Sequence, residues 1–342
     1  MLMSDHLSLN DFQQLHRWLC DNKSIIRDCF KIDDNKKLPI IDPATEEILM
    51  QAGIIKARYP NVVGYSASCR ILDGGGMFIT TDFDGPISDR VFPWIDEGIL
   101  LNDYLSSHST KEPSSVLNLC SGAGTVAIGA AKMWVNSKVL GIDINPRAVE
   151  YAHFNVQLNS VSSTTNFECK DLSNVENGKF ELVVCVPPFA MHPEQHIEYS
   201  HSAGGKYGDD VVRKVLSVVN RYLTNDGRMV MLCYSLGDEN LPTRVIEALQ
   251  SNGWSREQAE AMIVPLKNER IWRFRGEKRI QKNPMPVQYM AIRAGDDSYR
   301  LAEDNDGIER FVDWIENDLI GGSPSYTCLH YIIIDTDRVQ NG

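Results

Sequence analysis

The run Val116-Leu117-Asn118-Leu119-Cys120-Ser121-Gly122-Ala123-Gly124-Thr125, followed at residues 138–159 by KVLGIDINPRAVEYAHFNVQLN, decides the fold of this chain. VLNLC (116–120) is a short, largely apolar segment of the kind buried on both faces of a parallel sheet, and SGAGT turns it at once into a helix. KVLGIDI (138–144) reads as the next strand and 146–158 as the next helix. The alternation continues through NFECKDL (166–172), FELVVCVPPF (180–189), a helix at 210–223, GRMVMLCYS (227–235), a helix at 241–252, a strand at 259–266 and a last strand, YTCLHYIIIDTD (326–337). Strands alternating with helices predict an α/β fold with a doubly wound parallel sheet and a ligand at the C-terminal strand ends.

Upstream the pattern differs. A start at Ser8 or Asn10 precedes apolar residues at helical spacing (Phe12, Leu15, Trp18, Leu19, then Ile25, Ile26, Cys29, Phe30), and PATEEILMQAGI continues from Pro43. Residues 61–84, broken by Gly74, Gly75 and Gly76, read as a hairpin or short sheet, and a helix follows at 94–107. The domain organisation expected is a helical and small β region at 1–90, for substrate recognition or as a lid, and a core domain at 91–342 with an insertion at about 267–322.

The 342 residues carry 43% apolar and 23% charged side chains, a globular composition that excludes wholesale disorder. The net charge of −12 counts against a protein that grips a phosphate backbone through its overall field, so nucleic acid is not the expected partner. The apolar runs 125–135 and 331–334 are shorter than the roughly 18 residues of a membrane helix. The polar, acidic N-terminus is unlike a signal peptide, and eight cysteines without a CxxC read as buried thiols of a reducing compartment, so cytoplasm is the expected location.

The loop around Gly122 and Gly124 lets backbone N–H groups and a helix N-terminus approach a ligand that a Cβ would obstruct, although tight packing alone also favours glycines there. Asp143 ends the second strand, where a carboxylate can accept both hydroxyls of a ribose, and Asp171 ends the third, placed to accept from an adenine amino group. A lone aspartate at a strand end is ordinarily a cap or turn residue. Two of them beside a glycine loop point to an adenosine site. The fourth strand ends Val186-Pro187-Pro188-Phe189, and prolines there stiffen a loop rather than build a ladder.

These residues resemble the class I S-adenosylmethionine-dependent methyltransferases, in the branch with an (Asn/Asp)-Pro-Pro-(Tyr/Phe) loop: the HemK-type glutamine methyltransferases and the related "methyltransferase small" proteins. The resemblance covers about residues 90–240 and includes RVFPWIDEGILLNDYL, GIDINPRAVEYAHFNVQLN and the loop Gly204-Gly205-Lys206-Tyr207-Gly208-Asp209. It implies a Rossmann-like seven-stranded core and S-adenosyl-L-methionine as cofactor. Asn118, Ser121, Gly122 and Gly124 would then lie at the methionine part, Asp143 at the ribose, and Asp171 and Leu172 at the adenine, with Ile144, Val186 and Pro187 also binding the cofactor and Val186 to Phe189 facing the substrate.

The chain departs from that pattern at three positions. Asn118 stands where the family has Asp or Glu, and Cys120 where it usually has its first glycine. An amide still accepts a hydrogen bond from an ammonium group, with a smaller contribution than a charge, and Asp96 or Glu97 could compensate. Val186 stands where Asn or Asp would orient a planar amide, so the acceptor expected is a small molecule or an amino-acid-like group rather than a glutamine amide. Phe189, Tyr207 and His192 are the candidates for contact with the reacting groups. His196, Tyr199, His201 and Asp209 share their loop, and no metal is expected.

Three rivals stand beside this reading. A cyclase acting on the cofactor itself, like azetidine-2-carboxylate synthases, would suit Asn118 and Val186 and release methylthioadenosine. A protein or RNA modifier would use the basic segment 266–283, which has seven Lys/Arg against two Glu with Trp272 and Phe274 interleaved. Pairing of that segment with the acidic run 303–318 is the plainer reading. A scaffold that binds the cofactor without catalysis is the third.

Overall fold

The computed structural model describes residues 6–23, 41–57, 65–83, 89–91, 95–175, 178–191, 203–270, 326 and 328–339. The second apolar group of the N-terminal region (Ile25 to Phe30), His192, His196, Tyr199 and His201, the basic segment from residue 271 on and the whole acidic run lie outside the described residues. Two compact units form, one from 1–85 with 90–171 and the other from 86–89 with 172–342.

The first unit opens with helix α1 (Leu9–Asp21), started by a capping box between Ser8 and Asp11. Its buried stripe Phe12, Leu15, Leu19 follows helical spacing. Helix α2 (Pro43–Gln51) is capped by the Asp42 side chain, and strands β1 (Ile55–Ala57) and β2 (Tyr65–Ala67) pair antiparallel. Strands β3 (Arg70–Gly74) and β4 (Met77–Thr81) form the hairpin expected around the glycines, with β4 buried along its whole length. Helix α3 (Asp96–His108) leads to strand β5 (Ser115–Leu119), helix α4 (Thr125–Met133), strand β6 (Lys138–Asp143), helix α5 (Pro146–Leu158) and strand β7 (Thr165–Cys169). β5, β6 and β7 run parallel in that order.

The second unit holds strand β8 (Phe180–Cys185), helix α6 (Asp210–Tyr222), strand β9 (Leu223–Gly237), helices α7 (Thr243–Ser251) and α8 (Arg256–Met262), and strands β10 (Ile263–Arg270) and β11 (Cys328–Asp335). Its strand order is β10-β11-β9-β8, with β8 and β9 parallel and β11 antiparallel to both its neighbours. The fold is α/β and Rossmann-like, with a seven-stranded sheet. Arg228 grips the buried Asp335 with two hydrogen bonds, 2.9 and 2.6 Å, and so ties β9 to the end of β11. Among the described residues no helix is long and apolar enough to cross a membrane.

The expected strand at 259–266 is corrected by the structure. Residues 256–262 are helix α8, started by a capping box between Ser255 and Gln258, and the strand begins only at Ile263. The apolar run Met262-Ile263-Val264 masks this helix boundary when the sequence is read by hydrophobicity alone.

The outer edge of β4 meets helix α5. In the hairpin register Phe78 and Thr80 turn their N–H and C=O groups away from β3, and among the described residues no third strand covers them. Two asparagines one helical turn apart do so instead. Asn159 Oδ1 accepts from the Phe78 N–H at 3.1 Å and its Nδ2 donates to the Phe78 carbonyl at 2.7 Å. Asn155 Oδ1 accepts from the Thr80 N–H at 2.8 Å and its Nδ2 donates to the Thr80 carbonyl at 3.0 Å. One turn further back, Tyr151 donates its hydroxyl to Asp82 at 2.8 Å, and Arg147 forms a two-pronged ion pair with the same carboxylate, Nε at 2.8 Å. Side chains at 147, 151, 155 and 159 thus meet strand positions 82, 80 and 78. The match is geometric, since four helical residues rise about 6 Å and two strand residues about 6.8 Å.

Burial pushes the Asp82 carboxyl pKa up, but Arg147, the Val91 N–H and the Tyr151 hydroxyl outweigh it and hold it below the ordinary value. An Arg147→Met variant is therefore expected to lose about 3 kcal/mol of stability in denaturant unfolding, because Asp82 keeps its charge without its cation. A depressed carboxyl stabilises the fold above its unfolded-state pKa and ceases to as pH falls through its folded value, so the wild type's advantage from Asp82 should hold near neutral pH and be lost only as the pH falls below the ordinary carboxyl range of about 4.

Candidate active site

The first unit carries one group of the candidate residues. β5 delivers the chain to Cys120, whose φ of 52° lies in the left-handed region that glycine tolerates best. The Ser121 N–H donates to the Ile142 carbonyl at 2.9 Å, which fastens the loop to β6. Gly122 (φ 53°) and Gly124 (φ 89°) are also left-handed. A Cβ at Gly124 would lie 2.8 Å from Phe167 Cζ, whereas none of the described atoms lies within 4 Å of one built at Gly122. The Gly124 position is closed by packing. The Gly122 backbone is open to a ligand.

Asp143 terminates β6 beside this opening. Its Oδ2 accepts from the Gly122 N–H at 2.8 Å and its Oδ1 from the Asn145 N–H at 2.9 Å. Burial raises the carboxyl pKa, and these backbone donors only partly offset it. Ile144, the next residue, leaves 64% of its surface exposed, an apolar face at the mouth of the loop. Asn118 is buried and donates to the Leu119 carbonyl at 3.1 Å. Ser121 is buried too, and its hydroxyl has no hydrogen-bond partner among the described residues. Asp171 lies two residues beyond the end of β7 and is partly exposed.

The second unit carries the other group. Leu172 is buried, and its carbonyl accepts from the Tyr222 hydroxyl at 2.8 Å. Val186 to Phe189 leave the end of β8, with Pro187 and Phe189 buried and Val186 and Pro188 partly exposed. The Phe189 ring packs edge-on against Tyr234, centroids 5.0 Å apart, and Tyr234 stacks in turn on Tyr331 at 4.5 Å.

The glycine loop at 204–208 folds directly onto this segment. The Gly204 N–H donates to the Ala190 carbonyl at 3.0 Å. A Cβ at Gly204 would stand 2.8 Å from the Phe189 backbone, and one at Gly208 (φ 74°) 2.6 Å from the Phe189 carbonyl oxygen. Tyr207 lies under the Arg244 guanidinium, 3.9 Å from ring centroid to cation. Asp209, almost wholly buried, accepts from Arg244 at 2.9 and 3.0 Å and from Arg213 at 2.7 Å, and Arg244 also donates to the Tyr326 hydroxyl at 3.0 Å. Arg244 and Tyr326 escape a sequence reading because they lie 35 and 117 residues from Asp209, with no local motif to announce them.

A carboxylate at the end of the second parallel strand, beside a left-handed glycine loop that follows the first, fits a nucleoside-bearing cofactor. Residues 95–245 match the methyltransferase small domain family. The chain is 30% identical over 192 residues to a putative protein N5-glutamine methyltransferase of Methanocaldococcus jannaschii, covering 54% of this chain and 93% of that protein. It is 25% identical over 181 residues to a release factor glutamine methyltransferase of Mycolicibacterium smegmatis, covering 49% of this chain and 63% of that one. Among solved structures, that of M. jannaschii TYW2 in complex with AdoMet is 18% identical, covering 59% of this chain and 77% of that one, with a TM-score of 0.40. The chain belongs to the methyltransferase small family, within the class I S-adenosylmethionine-dependent methyltransferases. It spans less than two thirds of the length of several further glutamine methyltransferases that it matches.

One expectation is overturned here. The relatives bear the names of enzymes acting on proteins, which removes the basis for a small-molecule acceptor. S-adenosylmethionine is the cofactor of the family, and the residues present fit it: a buried hydroxyl still to be satisfied, an open glycine backbone and a strand-end carboxylate.

An Asp143→Asn variant is expected to bind S-adenosylmethionine at least about tenfold more weakly in calorimetry, since a charge-assisted acceptor is lost. Without ligand near neutral pH, the acceptor this variant loses towards Gly122 or Asn145 should be partly offset by removal of a buried charge. A carboxyl whose folded pKa is raised stabilises the fold only when protonated, and that contribution has vanished by neutrality.

Proposed function

We propose that this chain transfers a methyl group from S-adenosylmethionine to the side-chain amide nitrogen of a glutamine in a protein. The observation that carries the reading is the similarity along 93% of the M. jannaschii putative protein N5-glutamine methyltransferase. In this reading Asp143 accepts from the ribose hydroxyls and Ile144 offers its exposed face to the adenine, with Asp171 and Leu172 at the adenine's edge. Asn118, Ser121, Gly122 and Gly124 take the methionine part. The family match begins at residue 95, which leaves 1–90 for recognition of the acceptor protein. The setting is cytoplasmic.

The bound cofactor supplies a methyl group already activated by its sulfonium. The protein's own work is alignment, because an amide nitrogen has a delocalised lone pair and reacts only when held in line. Pro187 and Pro188 bring no N–H and have fixed φ, so the carbonyls of Val186 and Pro187 are presented in one orientation as acceptors for the amide N–H groups. Val186 adds no side-chain oxygen. Phe189 and Tyr207 hold the loop in shape through Tyr234 and Arg244, as well as being the aromatic surfaces nearest in sequence to the acceptor strand. His192 keeps its role as a candidate contact with the reacting group.

The test is incubation of the protein with methyl-labelled S-adenosylmethionine and a protein extract, followed by peptide mass spectrometry, with ribosomal proteins and release factors examined first. Label on glutamine side chains is the expected outcome. Label confined to small molecules, or methylthioadenosine formed without any acceptor, would overturn the reading. A Val186→Asn variant, which adds the missing oxygen, is expected to raise kcat on a glutamine peptide about tenfold with cofactor affinity unchanged, the worth of one transition-state hydrogen bond.

A further inference from the structure

We infer that Asn155 is a positioning residue for the cofactor loop, and that it acts by holding the Ala123 carbonyl in place from the β3–β4 hairpin. The inference rests on the S-adenosylmethionine reading of the loop. Asn155 is fully buried and uses all four of its hydrogen-bonding capacities. Oδ1 accepts from the Thr80 N–H at 2.8 Å and the Thr80 hydroxyl at 2.6 Å, while Nδ2 donates to the Thr80 carbonyl at 3.0 Å and the Ala123 carbonyl at 2.9 Å. A flip of the amide would oppose like groups at the Thr80 N–H and at both carbonyls, with only the Thr80 hydroxyl able to adapt, so its orientation is fixed.

Ala123 sits between Gly122 and Gly124, both left-handed and both able to rotate their peptide planes at low cost. Pinning the Ala123 carbonyl fixes the peptide plane it shares with the Gly124 N–H, which donates to the Ser121 carbonyl at 2.9 Å. Gly122 N–H is held from the other side by Asp143. The loop that meets the cofactor is therefore clamped at two points, one on β6 and one on α5. Without Asn155 the buried Ala123 carbonyl has lost its donor, and the loop gains conformations that cost binding affinity.

Asn159 supplies the control. It makes the same kind of contacts to the hairpin, at Phe78, and its remaining bond is to the Asn155 carbonyl, none to the glycine loop. Full-length Asn155→Ala and Asn159→Ala variants should both melt earlier than wild type. Only Asn155→Ala is expected to bind S-adenosylmethionine and S-adenosylhomocysteine more weakly, by about tenfold, the worth of one buried hydrogen bond and the order it imposes. Asn155→Ser, which keeps a hydroxyl too short to span Thr80 and Ala123, gives the same selective loss and serves if the alanine variant does not fold. Equal weakening by the 155 and 159 variants, or affinity within about twofold of wild type in Asn155→Ser, would overturn the inference. Failure of the wild-type chain to bind either ligand would overturn the cofactor reading as well.

Discussion

A buried strand edge must find partners for its N–H and C=O groups, and in this chain the helix α5 provides them through side-chain amides rather than through another strand. Every donor and acceptor left bare on β4 by such a loss would cost about 1–3 kcal/mol. The requirement joins three parts that are far apart in sequence: the hairpin, the helix after the second core strand, and the glycine loop. His16 reinforces it from α1, with Nδ1 2.9 Å from the Leu158 carbonyl, and Phe12 packs edge-on against Phe154 at 5.3 Å. The N-terminal region is thus seated on helix α5 by specific polar contacts, and its hairpin cannot slide by one residue without turning Phe78 and Thr80 away from their asparagines.

The glycine loop after β5 stores strain that a relaxed turn would avoid. Cys120 occupies a left-handed conformation at a cost on the order of 1 kcal/mol relative to a glycine. Asp143 is desolvated ahead of any ligand, and the Ser121 hydroxyl is buried without a partner among the described residues. Each is a cost that the surrounding packing has to offset. The neutral Asn118 belongs to the same balance. A carboxylate in its place, with 1% of the residue exposed, would need its own cation or a ligand's ammonium to be tolerated.

The order of strands and helices was legible because each change of hydrophobic period coincides with a start or stop signal. Asn145-Pro146 is such a signal, and the helix it opens spans the residues expected. At 256–262 the capping box was present in the sequence too, but the apolar run after it dominated the reading. Asn155 and Asn159 were not legible, because polar residues at four-residue spacing on a helix ordinarily mark its solvated face. Their burial follows from the free edge of β4, a fact of tertiary structure. Asp143 and the glycines could be read because their chemistry is local to two consecutive βα turns.

The acceptor side shows the converse limit. Val186 was read by its side chain, as an absence of the oxygen that amide methylation employs, and this favoured a small acceptor. The structure directs attention to the main chain instead. The Gly204–Gly208 loop is packed so tightly on Phe189 and Ala190 that no side chain fits at Gly204 or Gly208, and Asp209, held by two arginines, anchors its far end. A loop braced in this way keeps its carbonyls in place whatever residue stands at 186. The Asp209–Arg244–Tyr207 cluster is the part of the second unit that supplies this rigidity.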